Sequence, residues 1–326
     1  MKLGVIGGGA WGTALAQVAS TGGRETLLWA MESEVVDGIN SRHENSIFLP
    51  GIPLNETIRA TADLAELGSC DAWIVVTPAQ HMRSVLAQAP AGERPLVLCS
   101  KGIEADSGKL LHEVAREACP TSPVAVLSGP TFAHEVAAGL PTAVTLACED
   151  RALGEELRSR INLVHFRTYC TDDVAGAEAG GAVKNVLAIA CGIVEGKKFG
   201  QNARAALIAR GFAEMTRFGV TMGGRRETLA GLSGLGDLVL TCSSTSSRNF
   251  SLGKAIGEGK QPAELMKDRR TVAEGAHTAP VLDRIAKDRG IDMPLVDAVA
   301  SLLAGRVGLD ELLGTMLSRP PGHEED

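Results

Sequence analysis

The sequence predicts an α/β fold, with a doubly wound sheet in the first half of the chain and helices alone in the second. Three observations carry that prediction. Short apolar runs recur through the first half with helical patterns between them, which is the spacing of βαβ units. Turn-forming residues close those runs at Gly7-Gly8-Gly9, Thr77-Pro78, Lys101-Gly102 and Ser128-Gly129-Pro130. From about Ala177 onward the apolar residues fall into a helical period that continues nearly to the end.

The expected strands are Leu3–Ile6, Thr26–Trp29, Ala72–Val76, Leu96–Cys99, Val124–Leu127 and Ala143–Ala147, with a further extended stretch near Val164–Tyr169. Several are apolar throughout, as strands covered on both faces of a parallel sheet should be. Ligands of such sheets bind beyond the carboxyl ends of the strands, so the four turns are expected to line one site. In the second half, Val183, Val186, Leu187, Ala190, Ile193 and Val194 share a helical face, as do Leu207, Ile208, Met215 and Phe218. Further helices are expected over Ala276–Asp288, Leu295–Leu303 and Asp310–Leu317. The switch between Cys170 and Gly176 divides the chain into a first domain at residues 1–174 and a second at 175–318. Residues 319–326, proline-rich and acidic, read as a frayed tail.

Composition narrows the function. The 326 residues are 44% hydrophobic and 22% charged, with only 3% aromatics, a balance suited to close-packed helices and tight turns. A formal charge of −7 offers no basic excess for a nucleic-acid partner, although a local pocket for a small anion remains open. The seven cysteines (Cys70, Cys99, Cys119, Cys148, Cys170, Cys191 and Cys242) are scattered and never form C-x-x-C. They read as reduced, mostly buried thiols. The histidines show no metal-ligand spacing, so no metal is expected. The chain enters a strand at Leu3 without a leader pattern, and no apolar run of membrane-spanning length stands out in the sequence. No membrane insertion and a cytoplasmic location are the expectation. The residues do not write an assembly state; a homodimer is one that they allow.

Gly7, Gly9 and Gly12 form G-x-G-x-x-G between a strand and the helical run Trp11–Val18. The first glycine permits the tight turn, the second lets backbone approach a pyrophosphate, and the third lets helix pack on strand. In this βα context the motif predicts a Rossmann-like domain binding NAD or NADP; the alternative is a glycine-rich turn without a ligand. After the second expected strand comes Ala30-Met31-Glu32. Glu32 is placed to accept from adenosine ribose hydroxyls, which favours NAD; otherwise it is a solvated carboxylate opening a helix. Lys184 stands beside Asn185 in the apolar stretch Gly180–Leu187, where an ammonium is costly to bury without a partner. It is either a proton donor to a carbonyl oxygen or a lysine snorkelling to water. Asp237, after Gly231-Leu-Ser-Gly-Leu-Gly236, either faces that lysine or caps the helical run Leu238–Cys242. Thr245-Ser246-Ser247-Arg248-Asn249 is either a phosphate site or a helix start with a surface arginine.

Together these stretches resemble the bacterial NAD(P)-dependent glycerol-3-phosphate dehydrogenases over nearly the whole chain. The resemblance is carried by Gly7–Ala14, Ser100–Glu104, Leu127–Ala133, Gly180–Asn185, Gly231–Asp237 and Ser247–Asn249, in one order. It implies interconversion of sn-glycerol 3-phosphate and dihydroxyacetone phosphate, supplying glycerophospholipid synthesis. It implies Lys184 as proton donor and acceptor with Asp237 holding it, and Lys101 touching both substrate and cofactor. Gly129, Thr131, Ser247, Arg248 and Asn249 would surround the phosphorylated substrate. Ala10, Trp11, Ala133, Arg248 and Glu274 would line the dinucleotide. Many members carry a basic residue where this chain has Met31 and Glu32, a departure that favours NADH. The rivals are a 3-hydroxy-acid or sugar-acid dehydrogenase of similar build, and a dinucleotide-sensing protein without turnover.

Overall fold

A computed structural model of the chain describes residues 1–90, 92–266 and 273–317; the expected tail at 319–326 lies outside them. Eight strands form one sheet in the order β3-β2-β1-β4-β5-β6-β7-β8. They are β1 (Leu3–Ile6), β2 (Thr26–Trp29), β3 (Ile58–Thr61), β4 (Ala72–Val75), β5 (Leu96–Leu98), β6 (Val124–Ser128), β7 (Thr142–Cys148) and β8 (Phe166–Thr171). Strand order reverses between β1 and β4, which pair in parallel from Leu3↔Ala72 to Ile6↔Val75. The crevice at their carboxyl ends is where open α/β sheets take ligands. Gly7–Gly9 and Thr77-Pro78 therefore flank one opening.

Side chains alternate between two cores, as the period of a strand demands. Val5, Ile74 and Val97 face one apolar cluster with the helix Ala10–Ser20, while Ile6, Val75 and Leu98 face the other. A third cluster surrounds the helix Val174–Gly196 and is built by the helices that follow it. That long helix begins in the sheet's own core, through Val174 and Ala177, and ends in the helical cluster. Its length and apolar composition would suit a bilayer span, and its apolar window is wholly buried within the protein. The sequence reading missed this run because Glu178 and Lys184 interrupt it. The helix Arg248–Gly257 crosses it at backbone contact: a Cβ at Gly253 would lie 2.0 Å from Ile189 O, and one at Gly192 2.1 Å from Phe250 O. No side chain fits at that crossing, which brings Asn185 beside Asn249.

Two features depart from expectation. Strand β3 was not foreseen; it is an edge strand with exposed Arg59 at its centre, and so lacks a continuous apolar signal. The sheet is also not uniformly parallel, because β6 and β7 pair antiparallel, Ala125↔Cys148 to Ser128↔Thr145. Between them lies only the five-residue helix Ala133–Ala137, about 7 Å long at 1.5 Å per residue.

Candidate active site

The glycine loop comes first. Gly7 has φ +125°, and its amide donates to Trp29 O at 3.0 Å. A Cβ on Gly12 would lie 1.9 Å from Gly7 O, so helix Ala10–Ser20 packs directly on the strand end. A Cβ on Gly9 would meet nothing within 4 Å. Gly9 is the N-cap of that helix and no side chain caps it, leaving the first helical N–H groups facing open space. That arrangement suits an anion such as a pyrophosphate. Ala10, Trp11 and Ala133 pack half-buried against the same apolar cluster, and the helices Ala10–Ser20 and Ala133–Ala137 pack against each other. Glu32 is the exposed N-cap residue of helix Ser33–Arg42 and makes no capping bond; Met31 beside it is 77% exposed.

Beyond the strand ends, three charged groups meet. Asp237 is fully buried. It lies in the first turn of helix Asp237–Thr241, after the π-helical turn Leu232–Gly236. Its carboxylate caps no backbone. Oδ1 accepts from Lys184 Nζ, and Oδ2 accepts from Lys101 Nζ at 2.5 Å. Thr241 completes the group, accepting from Lys184 Nζ at 2.9 Å and donating to Asp237 Oδ1 at 3.2 Å. The glycines before Asp237 serve this approach: Gly180 of the long helix sits so close that its Cβ would be 2.6 Å from Ser233 O. Lys184 is thus a buried, paired lysine and does not reach out to water.

Electrostatics follow from burial. Desolvation pushes the Lys184 ammonium down to about 7; Asp237 opposes this, and Lys101 adds to it. Burial alone would raise the Asp237 carboxyl, but Lys101 and Lys184 hold it below the usual range. Below neutrality, with Lys184 protonated, two cations surround one anion and the group carries a net positive charge.

The remaining expected residues gather on the same side. Lys101 Nζ reaches Gly129 O at 3.5 Å, and Thr131 Oγ1 donates to that same carbonyl at 3.4 Å. Asn249 Nδ2 donates to Asn185 Oδ1 at 3.0 Å, and Asn249 Oδ1 accepts from Gly275 N–H at 2.9 Å. Ser247 caps helix Arg248–Gly257, its Oγ accepting from Phe250 N–H at 3.2 Å. Arg248 opens that helix and is exposed. Burial raises the Glu274 carboxyl while Arg248, Lys101 and Lys184 pull it down, which places Glu274 in the same electrostatic neighbourhood. Glu32 alone stands apart, at the surface beyond β2. Sequence reading did not single out Thr241, although its position four residues after Asp237 on one helix put the two side chains on one face.

Comparison with known proteins adds to this geometry. Residues 2–154 match the model of the NAD-dependent glycerol-3-phosphate dehydrogenase N-terminus, and residues 173–314 that of the C-terminus. The glycerol-3-phosphate dehydrogenase (NAD(P)+) of Erythrobacter litoralis is 61% identical over 327 aligned positions, covering 100% of this chain and 99% of that protein. The enzyme of the same name from Novosphingobium aromaticivorans is 62% identical, covering 98% and 97%. The crystal structure of glycerol-3-phosphate dehydrogenase from Coxiella burnetii superposes with a TM-score of 0.93 at 38% identity, covering 98% of this chain and 99% of that one. With both halves matched in one order, the chain belongs to the NAD-dependent glycerol-3-phosphate dehydrogenase family.

Proposed function

We propose that this chain reduces dihydroxyacetone phosphate to sn-glycerol 3-phosphate, and reverses the reaction, with Lys184 as the proton donor and acceptor. The observation that carries this reading is the Lys101–Asp237–Lys184 group, in which one buried carboxylate holds two ammonium groups. Gly7, Gly9, Ala10, Trp11, Gly12, Ala133 and Glu274 would hold NADH or NADPH, which would supply the hydride. This chain's residues do the rest. Lys184 Nζ delivers a proton to the oxygen that gains charge as the carbonyl is reduced, and takes it back in oxidation; its depressed pKa suits transfer near neutrality. Asp237 and Thr241 keep the ammonium aimed. Lys101, Arg248, Asn249, Ser247, Thr131 and the Gly129 backbone hold the phosphorylated substrate, whose phosphate binding orients the carbonyl.

The domain limits we propose are 1–174 for the dinucleotide and 175–318 for substrate and catalysis, supported by the start of the long helix at Val174. A cytoplasmic location is supported by the seven cysteines, all free, and the product's use in phospholipid synthesis by the family alone. Initial rates with dihydroxyacetone phosphate and each reduced cofactor test the reading. Turnover with NADH or NADPH is expected; greater activity on an unphosphorylated hydroxy acid, or binding of NADH without turnover, overturns it.

A further inference from the structure

Six residues before Lys184 on the long helix, Glu178 is only 3% exposed, and its carboxylate engages one neighbour. Its two oxygens accept the backbone N–H of His112 at 3.0 and 3.3 Å, and Oε2 lies 2.6 Å from His112 Nδ1. His112 is the second residue of helix Leu111–Ala118, so Glu178 acts there as a cap supplied by another helix, at the end that favours negative charge. An apolar contact would pack two helices without the several kcal/mol that a buried carboxylate costs. The pair calls for another reason.

His112 leads back to Lys101. Ile103 and Leu110 form an antiparallel bridge, tightened by Gly108 N–H to Glu104 O at 2.9 Å and Glu104 N–H to Lys109 O at 3.1 Å. Arg83 holds the Glu104 carboxylate with two bonds of 2.8 Å. Ile103 and Leu110 pack in one cluster with Ala179, Ala182 and Val183 of the long helix. Residues 101–112 are therefore a stiff clasp on that helix. One end is fastened at Glu178. At the other end Lys101 crosses Gly181, whose Cβ would lie 3.5 Å from Lys101 Cγ, before reaching Asp237. Glu178 and Gly181 are three residues apart and share the helix face that the clasp covers.

We infer that Glu178 and His112 are positioning residues, which fix the Lys101 ammonium relative to Lys184 and Asp237 by anchoring the far end of this clasp. The inference rests on the reading of Lys101 as a substrate-binding residue. Its test is a double-mutant cycle of Glu178→Gln and Lys101→Met in the full-length enzyme. Initial rates are measured against dihydroxyacetone phosphate and reduced cofactor, alongside thermal melts. Glu178→Gln keeps the side chain's size and one acceptor for His112. It is expected to raise KM for dihydroxyacetone phosphate about tenfold, since small misplacements of a binding group are felt strongly in the rate. In the Lys101→Met background the same change is expected to have less than about a twofold effect, the mark of residues acting through one another. Effects that multiply in full across the cycle overturn the inference, as does a fall in kcat at constant KM in step with lost folded protein. Wild-type kinetics in Lys101→Met would instead overturn the reading of Lys101, and the inference with it. If Glu178→Gln does not fold, His112→Asn replaces it in the cycle with the same expected and overturning outcomes, since it keeps the backbone bonds and removes only the ring.

Discussion

Asp237 Oδ2 lies 2.5 Å from Lys101 Nζ while Oδ1 holds Lys184, so removing this one carboxylate unpairs the buried Lys184 and the half-buried Lys101. Asp237→Asn would keep a single acceptor and turn its amide N–H groups toward an ammonium. Turnover should fall by about 10²–10⁴, the range for a mispositioned general acid. Without its anion Lys184 would lose its proton more easily, and the remaining reduction activity should shift to lower pH. Rates in both directions, with a melt to confirm folding, check this; wild-type kcat in the variant would remove Asp237 from the mechanism.

The direction of the Lys184 shift gives a pH dependence with opposite signs for the two directions. Burial brings its pKa down to about 7, so the ammonium predominates below neutrality and the free amine above. Reduction of dihydroxyacetone phosphate needs the ammonium, and its kcat/KM should fall as pH rises through that value. Oxidation of sn-glycerol 3-phosphate needs the amine and should rise over the same interval. Lys184→Ala should abolish both limbs and leave dinucleotide binding nearly intact, because the Gly7–Gly12 loop lies in the sheet domain. Profiles that rise together would assign the proton to another group.

The fold and the site were legible to different depths, for physical reasons. Strands β1 and β2 are covered on both faces and announced themselves as continuous apolar runs. Edge strand β3 exposes Arg59 and carried no such signal. Strand direction is not written in apolar content at all, and β7 runs antiparallel to β6. Lys184 was conspicuous because a charge among small apolar residues demands a partner. Asp237 was ambiguous, since a first-turn aspartate caps many helices, and only the fold shows its carboxylate turned to two lysines. Thr241 and Glu178 stayed hidden. Four-residue spacing sets Thr241 beside Asp237, but which element brings Lys184 or His112 opposite is stated by no local spacing.

Gly9 and Gly12 should separate cofactor binding from folding. A methyl group on Gly12 would lie 1.9 Å from Gly7 O, whereas one on Gly9 meets nothing within 4 Å. Gly12→Ala should therefore destabilise the protein by about 1–3 kcal/mol or more, as overpacking does. Gly9→Ala should melt close to wild type and still lose dinucleotide affinity, because its methyl group fills the space before the helix N-terminus. Thermal melts and NADH titration of both variants check the pair; unchanged NADH affinity in Gly9→Ala would move the pyrophosphate elsewhere.

Arg248 is exposed at the start of its helix, whereas Ser247 and Asn249 on either side are buried and hydrogen-bonded within the protein. An exposed guanidinium at the edge of this site, within electrostatic reach of Glu274, can engage an anion. Arg248→Ala should raise KM for dihydroxyacetone phosphate by about tenfold to a hundredfold, the worth of a charge-assisted bond of roughly 1.5–3 kcal/mol. Unphosphorylated dihydroxyacetone should be affected far less. Equal losses on both substrates would show that Arg248 does not read the phosphate.

Cofactor preference turns on the end of β2. A 2′-phosphate of NADPH would lie beyond that strand, where Glu32 is exposed and caps nothing and Met31 is 77% exposed. On the flanking elements, Arg42 is paired with Glu44 and Arg59 with Glu66, so each of those guanidinium groups already has a carboxylate. Glu32 can accept from the ribose hydroxyls of NADH but repels a phosphate in the same place. Two like charges about 4 Å apart at an effective dielectric near 20 repel by roughly 4 kcal/mol before relaxation and screening. A third of that repulsion corresponds to about a tenfold difference in kcat/KM. NADH should therefore be the better cofactor, and Met31→Arg combined with Glu32→Arg should shift the preference toward NADPH. The ratio of kcat/KM for the two cofactors, before and after that change, is the measurement. A wild-type enzyme that already prefers NADPH would mean that Glu32 points away from the ribose and that another cation meets the phosphate.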